Sequence, residues 1–120
     1  MKSNVLVVSP SDTLKDVILL IGKNHVSGLC VVDRQRRILG VITEYDLLRA
    51  FHEDRTHEKV NDIMSPNVIT VGPQATLDEL IELFLEKRMR RVFVAEDGIL
   101  QGVISRRDLI FAAQCRKQVS

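Results

Sequence analysis

A hydroxyl residue followed three positions later by an aspartate occurs twice in the chain, each time after a run of branched apolar residues. The first copy, Gly40–Asp46, reads GVITEYD, and the second, Gly102–Asp108, reads GVISRRD. The apolar run predicts a buried strand that passes directly into a helix. The hydroxyl and the acid of each copy are therefore candidates for chemistry at the start of a helix.

Each of these pairs has two physical interpretations. In the first, Thr43 and Ser105 are helix N-caps, and Asp46 and Asp108 close capping boxes in which Asp replaces the more usual Glu. In the second, the free N–H groups and the dipole of the helix start receive a phosphate, while the aspartate accepts charge-assisted hydrogen bonds from both hydroxyls of a ribose. A single motif of this kind is most often a cap, and its duplication favours a ligand site.

The duplication extends along the chain. A displacement of 63 positions superimposes the first half on the second, and after a one-residue shortening in the following loop the offset becomes 62. The identical pairs are Met1/Met64, Asn4/Asn67, Val5/Val68, Val8/Val71, Pro10/Pro73, Thr13/Thr76, Leu14/Leu77, Ile18/Ile81, Leu20/Leu83, Val31/Val94, Gly40/Gly102, Val41/Val103, Ile42/Ile104, Asp46/Asp108, Leu47/Leu109 and Ala50/Ala112. The chain is a tandem repeat of about 60 residues.

Both repeats show the same order of predicted elements, β-α-β-β-α. Thr13 and Thr76 are expected to cap the first helix of each repeat, whose apolar residues follow the i, i+3, i+4, i+7 spacing of a half-buried helix. The nearly all-apolar second strand is expected inside a sheet. The predicted strands are Val5–Val8, Leu29–Val32 and Ile38–Ile42, then Val68–Val71, Val92–Ala95 and Leu100–Ile104, and the helices after the repeated motif are Tyr45–Phe51 and Arg107–Gln114.

One repeat alone would expose too much surface to be comfortably stable. We therefore predict an α+β fold in which two β-α-β-β-α repeats are related by a pseudo-two-fold axis. Residues 1–51 form repeat 1, residues 52–62 a charged, solvated connector, and residues 63–120 repeat 2. A helical turn at Val60–Met64 is expected to lead into repeat 2, and Arg116–Ser120 to be frayed.

Gly40 and Gly102 precede the two motifs within predicted strands. A glycine at such a position indicates either a close approach of another group to the backbone or a β-bulge. The sequence leaves both alternatives open.

Composition excludes several classes of function. A net charge of +1 and an aromatic content of 4% disfavour nucleic-acid binding, and no apolar run is long enough to span a bilayer, so we expect a cytoplasmic protein. Cys30 is expected in the core, and the two cysteines and three histidines lack metal-ligand spacing. No histidine lies at a comparable place beside Thr43 and Ser105, which argues against an enzyme.

The two GVI(T/S)xxDL motifs, the VVD and VAEDG stretches before them and Asp62–Pro66 (DIMSP) resemble the cystathionine β-synthase (CBS) domain pair, or Bateman module. The resemblance covers essentially the whole chain, which looks like a free-standing pair. It implies a non-catalytic regulatory sensor that binds AMP, ADP, ATP or S-adenosylmethionine, commonly as a disc-shaped homodimer, with no obligatory cofactor. The regulated partner is expected to be an enzyme or a transporter.

The family's pattern also implies two ligand clefts, each built from both repeats. In cleft 1 the hydroxyl and ribose-binding acid are Thr43 and Asp46, and in cleft 2 they are Ser105 and Asp108. The residues that the opposite repeat would add, together with the neighbouring arginines, are Ile69, Arg90 and Arg91 in cleft 1 and Leu6, Ser27, Arg106 and Arg107 in cleft 2. Leu6 and Ile69 would contact adenine, and the arginines would meet phosphates.

The two clefts are expected to differ in charge. Arg90 and Arg91 replace Ser27 and Gly28, and the arginines that follow Ser105 replace the Glu44-Tyr45 pair of repeat 1. The cleft with Asp108 is therefore the better candidate for a polyphosphate, unless the arginines are only solvated surface charges. The alternative function is a structural dimerisation or docking module that binds no adenosyl ligand.

Overall fold

The computed structural model describes residues 5–119, with side chains described to residue 116. Leu6–Val68 forms one unit, which we call the first unit, and Val5 together with the residues from Ile69 onward belongs to the other, the second unit. The elements are β1 (Val7–Val8), α1 (Leu14–Asn24), β2 (Gly28–Val32), β3 (Ile38–Thr43), α2 (Glu44–His52), α3 (Val60–Ile63), β4 (Thr70–Val71), α4 (Leu77–Lys87), β5 (Arg91–Glu96), β6 (Ile99–Ser105) and α5 (Arg106–Val119).

The first unit contains a three-stranded sheet in the order β1-β2-β3. Strand β2 pairs in parallel with β1 and antiparallel with β3. Its residues Leu29–Val32 are all buried, as the apolar composition of that stretch predicts. Helix α1 begins at the predicted cap, where Thr13 Oγ1 accepts a hydrogen bond from the Asp16 N–H at 3.2 Å. The predicted α+β repeat is therefore confirmed in this unit.

The second unit repeats this arrangement with the sheet order β4-β5-β6. Thr76 caps α4 by accepting from the Glu79 N–H at 3.2 Å. The hairpin between β5 and β6 turns at Asp97 and Gly98, whose φ angles of 53° and 79° are both positive. An Asp-Gly pair suits such a turn because glycine, and to a lesser extent aspartate, tolerates the left-handed region.

Three predicted boundaries are wrong by more than one residue. Strands β1 and β4 contain two residues each rather than four, because each pairs with its neighbour at only two positions. Helix α5 continues to Val119 instead of ending at Gln114, since no proline or glycine interrupts it and Arg116 Nη2 donates to Asp78 Oδ1 at 3.0 Å. The frayed tail is therefore not observed up to Val119, and Ser120 lies outside the described residues.

The charged stretch between the repeats is largely exposed up to Lys59, as predicted. The helical turn that follows is present as α3, but it packs on the first unit. Val60 is fully buried in that unit's core, and its N–H donates to the Asp12 carbonyl at 3.0 Å. The Asn61 N–H donates to the Pro10 carbonyl at 2.9 Å. The end of the connector is thus part of the core of the first unit.

The segment after α3 lies along the outer edge of β3. The Val41 N–H donates to the Ser65 carbonyl at 2.9 Å, and the Ser65 N–H donates to the Val41 carbonyl at 2.9 Å. A Cβ atom on Gly40 would lie 2.6 Å from the Ser65 carbonyl oxygen and 2.8 Å from Met64 Sδ. Glycine is needed there because the docked segment approaches the backbone closely.

A β-bulge occurs at the same glycine. Val31 pairs with Gly40, but Val32 pairs with Ile38, so that β3 has one extra residue. In the second unit Val94 pairs with Gly102, but Ala95 pairs with Leu100, so that β6 also has one extra residue directly before the glycine. Both explanations of the glycine that the sequence left open are therefore realised at position 40, and the bulge is realised at position 102.

We expect Gly40→Ala to destabilise the protein by about 2 kcal/mol, because an added methyl would overlap a backbone carbonyl. Gly22→Ala is the matched control, since no atom lies within 4 Å of a Cβ at that position of α1 and alanine is a better helix former by about 1 kcal/mol. Urea denaturation of both variants measures the free energies of unfolding. A neutral Gly40→Ala would contradict the close approach of Ser65.

Candidate functional site

Asp46 lies at the start of α2 and is almost fully buried, with 7% of the residue exposed. Its Oδ2 accepts from the Thr43 N–H at 2.8 Å and from the Thr43 hydroxyl at 3.0 Å, and the Asp46 N–H donates back to Thr43 Oγ1 at 3.3 Å. These reciprocal bonds form a complete capping box. The capping interpretation is therefore confirmed in the first unit.

Asp108 occupies the same place at the start of α5. Its Oδ2 accepts from the Ser105 N–H at 2.9 Å, and its own N–H donates to Ser105 Oγ at 3.2 Å. The side chain is half-buried. The same local geometry thus holds an acid at the strand-to-helix junction of both units.

A loop carbonyl supports each junction. The Glu44 N–H donates to the Ser27 carbonyl at 2.9 Å, and the Arg106 N–H donates to the Arg90 carbonyl at 2.9 Å. Two of the first three helical amides in each unit are therefore already used, one by this carbonyl and one by the cap. A phosphate at the helix start would find fewer free amides than the sequence suggests, so side-chain cations matter more.

Four arginines lie at one end of the second unit, and we call them the basic cluster: Arg90, Arg91, Arg106 and Arg107. All four are exposed. Arg91 lies opposite Ser105 in the β5–β6 register, and the guanidinium of Arg107 lies 5.8 Å from the centroid of the Phe111 ring. In the first unit Ser27, Gly28, Glu44 and Tyr45 occupy the four equivalent positions. The two junctions therefore have the same backbone geometry and different charge.

The predicted adenine contacts come just before the first strand of each unit. Leu6 is 39% exposed and Ile69 is 46% exposed, which is more than a core residue of this size shows. Within the first unit the structure brings together Ser27, Thr43 and Asp46, and within the second it brings together the basic cluster, Ser105 and Asp108. The predicted combination of residues from both units in one cleft stays a prediction.

Sequence reasoning missed one residue at the first junction. Arg49 Nη1 donates to Asp46 Oδ1 at 3.3 Å, and 60% of the Arg49 side chain is exposed. The i, i+3 spacing of an acid and a base on one helix was the available signal. The equivalent residue of the second unit is Phe111, so this ion pair is specific to the first.

The remaining candidates for chemistry are sparse. Burial raises the pKa of Cys30 to about 11, so that its thiol stays protonated and unreactive near neutral pH. Among residues 5–119 no group of three His, Cys, Asp or Glu side chains is placed to bind a metal ion. Over the same residues, no helix combines the length and apolar character needed to cross a membrane.

We expect Asp46→Ala to lower the free energy of unfolding by about 2 kcal/mol, because it removes a buried acceptor from the Thr43 N–H and hydroxyl. Asp16→Ala is the matched control at α1, where the acid is exposed and accepts a long hydrogen bond of 3.5 Å from the Thr13 N–H. Loss of the Asp16 carboxylate should lower the free energy of unfolding by about 0.5 kcal/mol. Urea denaturation distinguishes the two. Equal losses would mean that burial does not strengthen the box at Asp46.

The sequence matches the CBS domain family model over residues 1–53 and 60–114. The inosine-5'-monophosphate dehydrogenase of Bifidobacterium longum is 34% identical over 95% of this chain, which spans 21% of that protein. The chloroplastic CBS domain-containing protein CBSX2 of Arabidopsis thaliana is 29% identical over 93% of the chain and 60% of its own length. The chain thus spans about a fifth of the dehydrogenases it matches and under two thirds of CBSX2.

Solved structures show the same similarity. A crystal structure of CBSX2 in complex with AMP superimposes with a TM-score of 0.85, at 31% identity, over 98% of this chain and 94% of that one. The family match covers both repeats, and the fold agrees with the repeat order that the sequence predicts. The chain belongs to the CBS domain family and contains a tandem pair of CBS domains.

Proposed function

We propose that the chain is a non-catalytic regulatory module that binds AMP, ADP, ATP or S-adenosylmethionine between its two repeats. The observation that carries the proposal is the duplicated junction, in which Asp46 and Asp108 are held at the start of a helix by the same pair of hydrogen bonds. The AMP complex of the related CBSX2 supports an adenine nucleotide as the ligand class.

In this proposal each cleft combines one junction with the loop and leading strand of the opposite repeat. Cleft 1 contains Thr43 and Asp46, and cleft 2 contains Ser105 and Asp108. The residues from the opposite repeat are Ile69, Arg90 and Arg91 in cleft 1 and Leu6 and Ser27 in cleft 2. Each acid accepts the two ribose hydroxyls, and the exposed apolar residue packs on the adenine.

Capping and ribose binding are compatible in one carboxylate. A carboxylate offers about four lone-pair sites. The capping bonds of Asp46 fall on Oδ2, and its Oδ1 meets Arg49 at 3.3 Å. Oδ1 therefore retains capacity for a sugar hydroxyl, and the largely exposed Arg49 side chain is able to move aside. The box fixes the direction of the acid before the ligand arrives, which reduces the entropy lost on binding.

The two clefts differ in the phosphate chain they favour. Arg106 and Arg107 belong to the same helix start as Asp108, whereas Glu44 occupies that place beside Asp46. Guanidinium groups bind phosphate oxygens in a bidentate manner, whereas a nearby carboxylate repels the negatively charged phosphate. Cleft 1 also contains Arg90 and Arg91 from the opposite repeat, but Glu44 offsets part of their positive charge, whereas cleft 2 has no acid at the position of Glu44. We therefore propose ATP for cleft 2 and a ligand with less negative charge for cleft 1.

The signal would pass to an enzyme or a transporter, either within a longer polypeptide or as a separate protein in the cytoplasm. We propose that the module acts as a homodimer. Helix α2 exposes Tyr45, Leu48 and Phe51 to between 59% and 77%, and an exposed apolar face of this kind is typical of an interaction surface. The same face supports the second candidate function, a dimerisation or docking module without an adenosyl ligand.

We expect at least one compound among AMP, ADP, ATP and S-adenosylmethionine to raise the midpoint of thermal unfolding. A ligand at 100 times its dissociation constant adds about 2.7 kcal/mol to the stability of the folded state, or about 10 °C for a domain of this size. Asp46→Asn and Asp108→Asn should each abolish the binding event in one cleft. Unfolding monitored by circular dichroism, with calorimetry for stoichiometry, measures both effects.

An unfolding midpoint that none of these compounds moves would favour the docking module instead.

Arg106→Ala should weaken the binding of ATP at least tenfold more than the binding of adenosine, since adenosine has no phosphate. The control is Arg116→Ala, at the other end of α5, which should change neither affinity. Equal weakening of ATP and adenosine by Arg106→Ala would remove that residue from phosphate binding.

A further inference from the structure

The exposed apolar side chains of both units lie mostly on helices. Among the described residues, the large apolar side chains that are exposed, apart from Leu6 and Ile69, all belong to α1, α2, α4 or α5. On the first helix of each repeat, Leu19 is 62% exposed and Leu85 is 74% exposed. Exposed apolar helix faces are typical of an interaction surface, and the charges around them indicate which partner fits.

Helices α1 and α4 are equivalent in the two repeats, but their exposed faces have opposite charge. The basic stripe of α1 consists of Lys15, Ile18, Leu19, Gly22 and Lys23. The acidic stripe of α4 consists of Asp78, Glu82, Leu85 and Glu86. All of these residues are exposed, and their spacing places the members of each stripe on one helix face. The pairs related by the offset of 63 positions are Lys15/Asp78, Leu19/Glu82 and Lys23/Glu86.

Two of these charges are unfavourable within their own helices. Lys15 is the second residue of α1 and Glu86 is the second-last residue of α4. A cation therefore lies at the positive end of one helix dipole, and an anion lies at the negative end of the other. In addition, Asp78, Glu82 and Glu86 are spaced by four residues, and like charges at that spacing repel each other. A partner of opposite charge would offset both effects.

We propose that the basic stripe of one copy packs antiparallel against the acidic stripe of a second copy, a pairing that rests on the homodimer of the proposed function. Lys15 then meets Glu86, and Lys23 meets Asp78, whose side chain is still 78% exposed beside Arg116. The apolar side chains of both stripes are covered between these ion pairs. The antiparallel direction joins the two charges that oppose their own helix dipoles. Two-fold symmetry produces the contact twice.

The same charges disfavour the other pairings of these helices. Two copies of α4 would bring two rows of acids together, and like charges across an interface exclude a wrong partner. Helix α5 offers Glu82 and Glu86 no cation between Asp108 and Cys115, and Arg116 beyond them already bonds Asp78 of its own chain at 3.0 Å. The basic stripe of α1 is therefore the better match for α4.

Charge reversal in the full chain tests the pairing, with the Kd of the dimer measured by sedimentation equilibrium at low ionic strength. Lys15→Glu and Glu86→Lys should each weaken dimerisation by about tenfold or more, because each places like charges together twice. Both changes suit the dipole of their own helix, so that a weaker dimer would not reflect a weaker fold. Arg34→Glu, between β2 and β3 and outside both stripes, is the control and should leave the Kd unchanged.

The chain with both Lys15→Glu and Glu86→Lys should regain the Kd of the unsubstituted chain, because each ion pair is restored with its signs exchanged. A double variant as weak as the single variants would overturn the antiparallel pairing. A double variant weaker than either would also overturn it, since parallel helices would then place acid beside acid and lysine beside lysine.

The dimer and the ligand site can fail separately. A dimer whose Kd none of these substitutions changes would overturn the stripe pairing and leave the proposed homodimer in place. A chain that is monomeric at every concentration would overturn both. Neither result depends on a nucleotide, so the adenosyl site is tested independently by the unfolding midpoints with and without ligand.

Discussion

In each repeat one carboxylate fixes the passage from the third strand to the following helix. The carboxylates of Asp46 and Asp108 accept a hydrogen bond from the N–H of the hydroxyl residue three positions earlier, at 2.8 and 2.9 Å. The N–H of each aspartate in turn donates a hydrogen bond to that hydroxyl. This bond closes the helix start and sets the direction of the acid, and beside it the carbonyl of Ser27 or Arg90 accepts a hydrogen bond from the first helical amide. Removing the carboxylate would affect the helix, the loop and the candidate ligand site together.

Duplication then produces two junctions with the same backbone and different surroundings. The first has a buried acid paired with Arg49 and a glutamate beside it, and the second has a half-buried acid within the basic cluster. Because the capping bonds are local, they tolerate changes at the positions between the hydroxyl and the acid. This freedom allows one fold to hold two sites of different charge, which is the physical basis of the proposed preference for different phosphate chains.

Much of this arrangement is predictable from local sequence. The order of elements, the caps at Thr13 and Thr76 and the central position of β2 follow from patterns within a few residues. The docking of α3 does not, because Val60 is a single apolar residue after a charged stretch, and its burial depends on tertiary contacts with the first unit. The length of α5 is also set by more than local pattern, since its end is held by the bond from Arg116 to Asp78.

The candidate site likewise contains some features that the sequence predicts and others that only the structure reveals. The hydroxyl and acid pairs are visible in the sequence because they repeat, whereas the ion pair of Asp46 with Arg49 occurs once and has no counterpart to draw attention to it. The use of two helical amides by the cap and the loop carbonyl reduces the part that the helix start alone could play in phosphate binding. Sequence spacing cannot reveal that, because Ser27 and Arg90 act through their backbone and not through their side chains.

The most direct test of the ligand site is a titration of the isotopically labelled protein with AMP, followed by backbone amide chemical shifts. If the duplicated junctions bind the sugar, the largest shifts should occur at Thr43–Asp46, at Ser105–Asp108, or at both, and they should saturate with a single dissociation constant for each site. Saturable shifts confined to other parts of the chain, with both junctions unchanged, would show that the two acids only cap their helices.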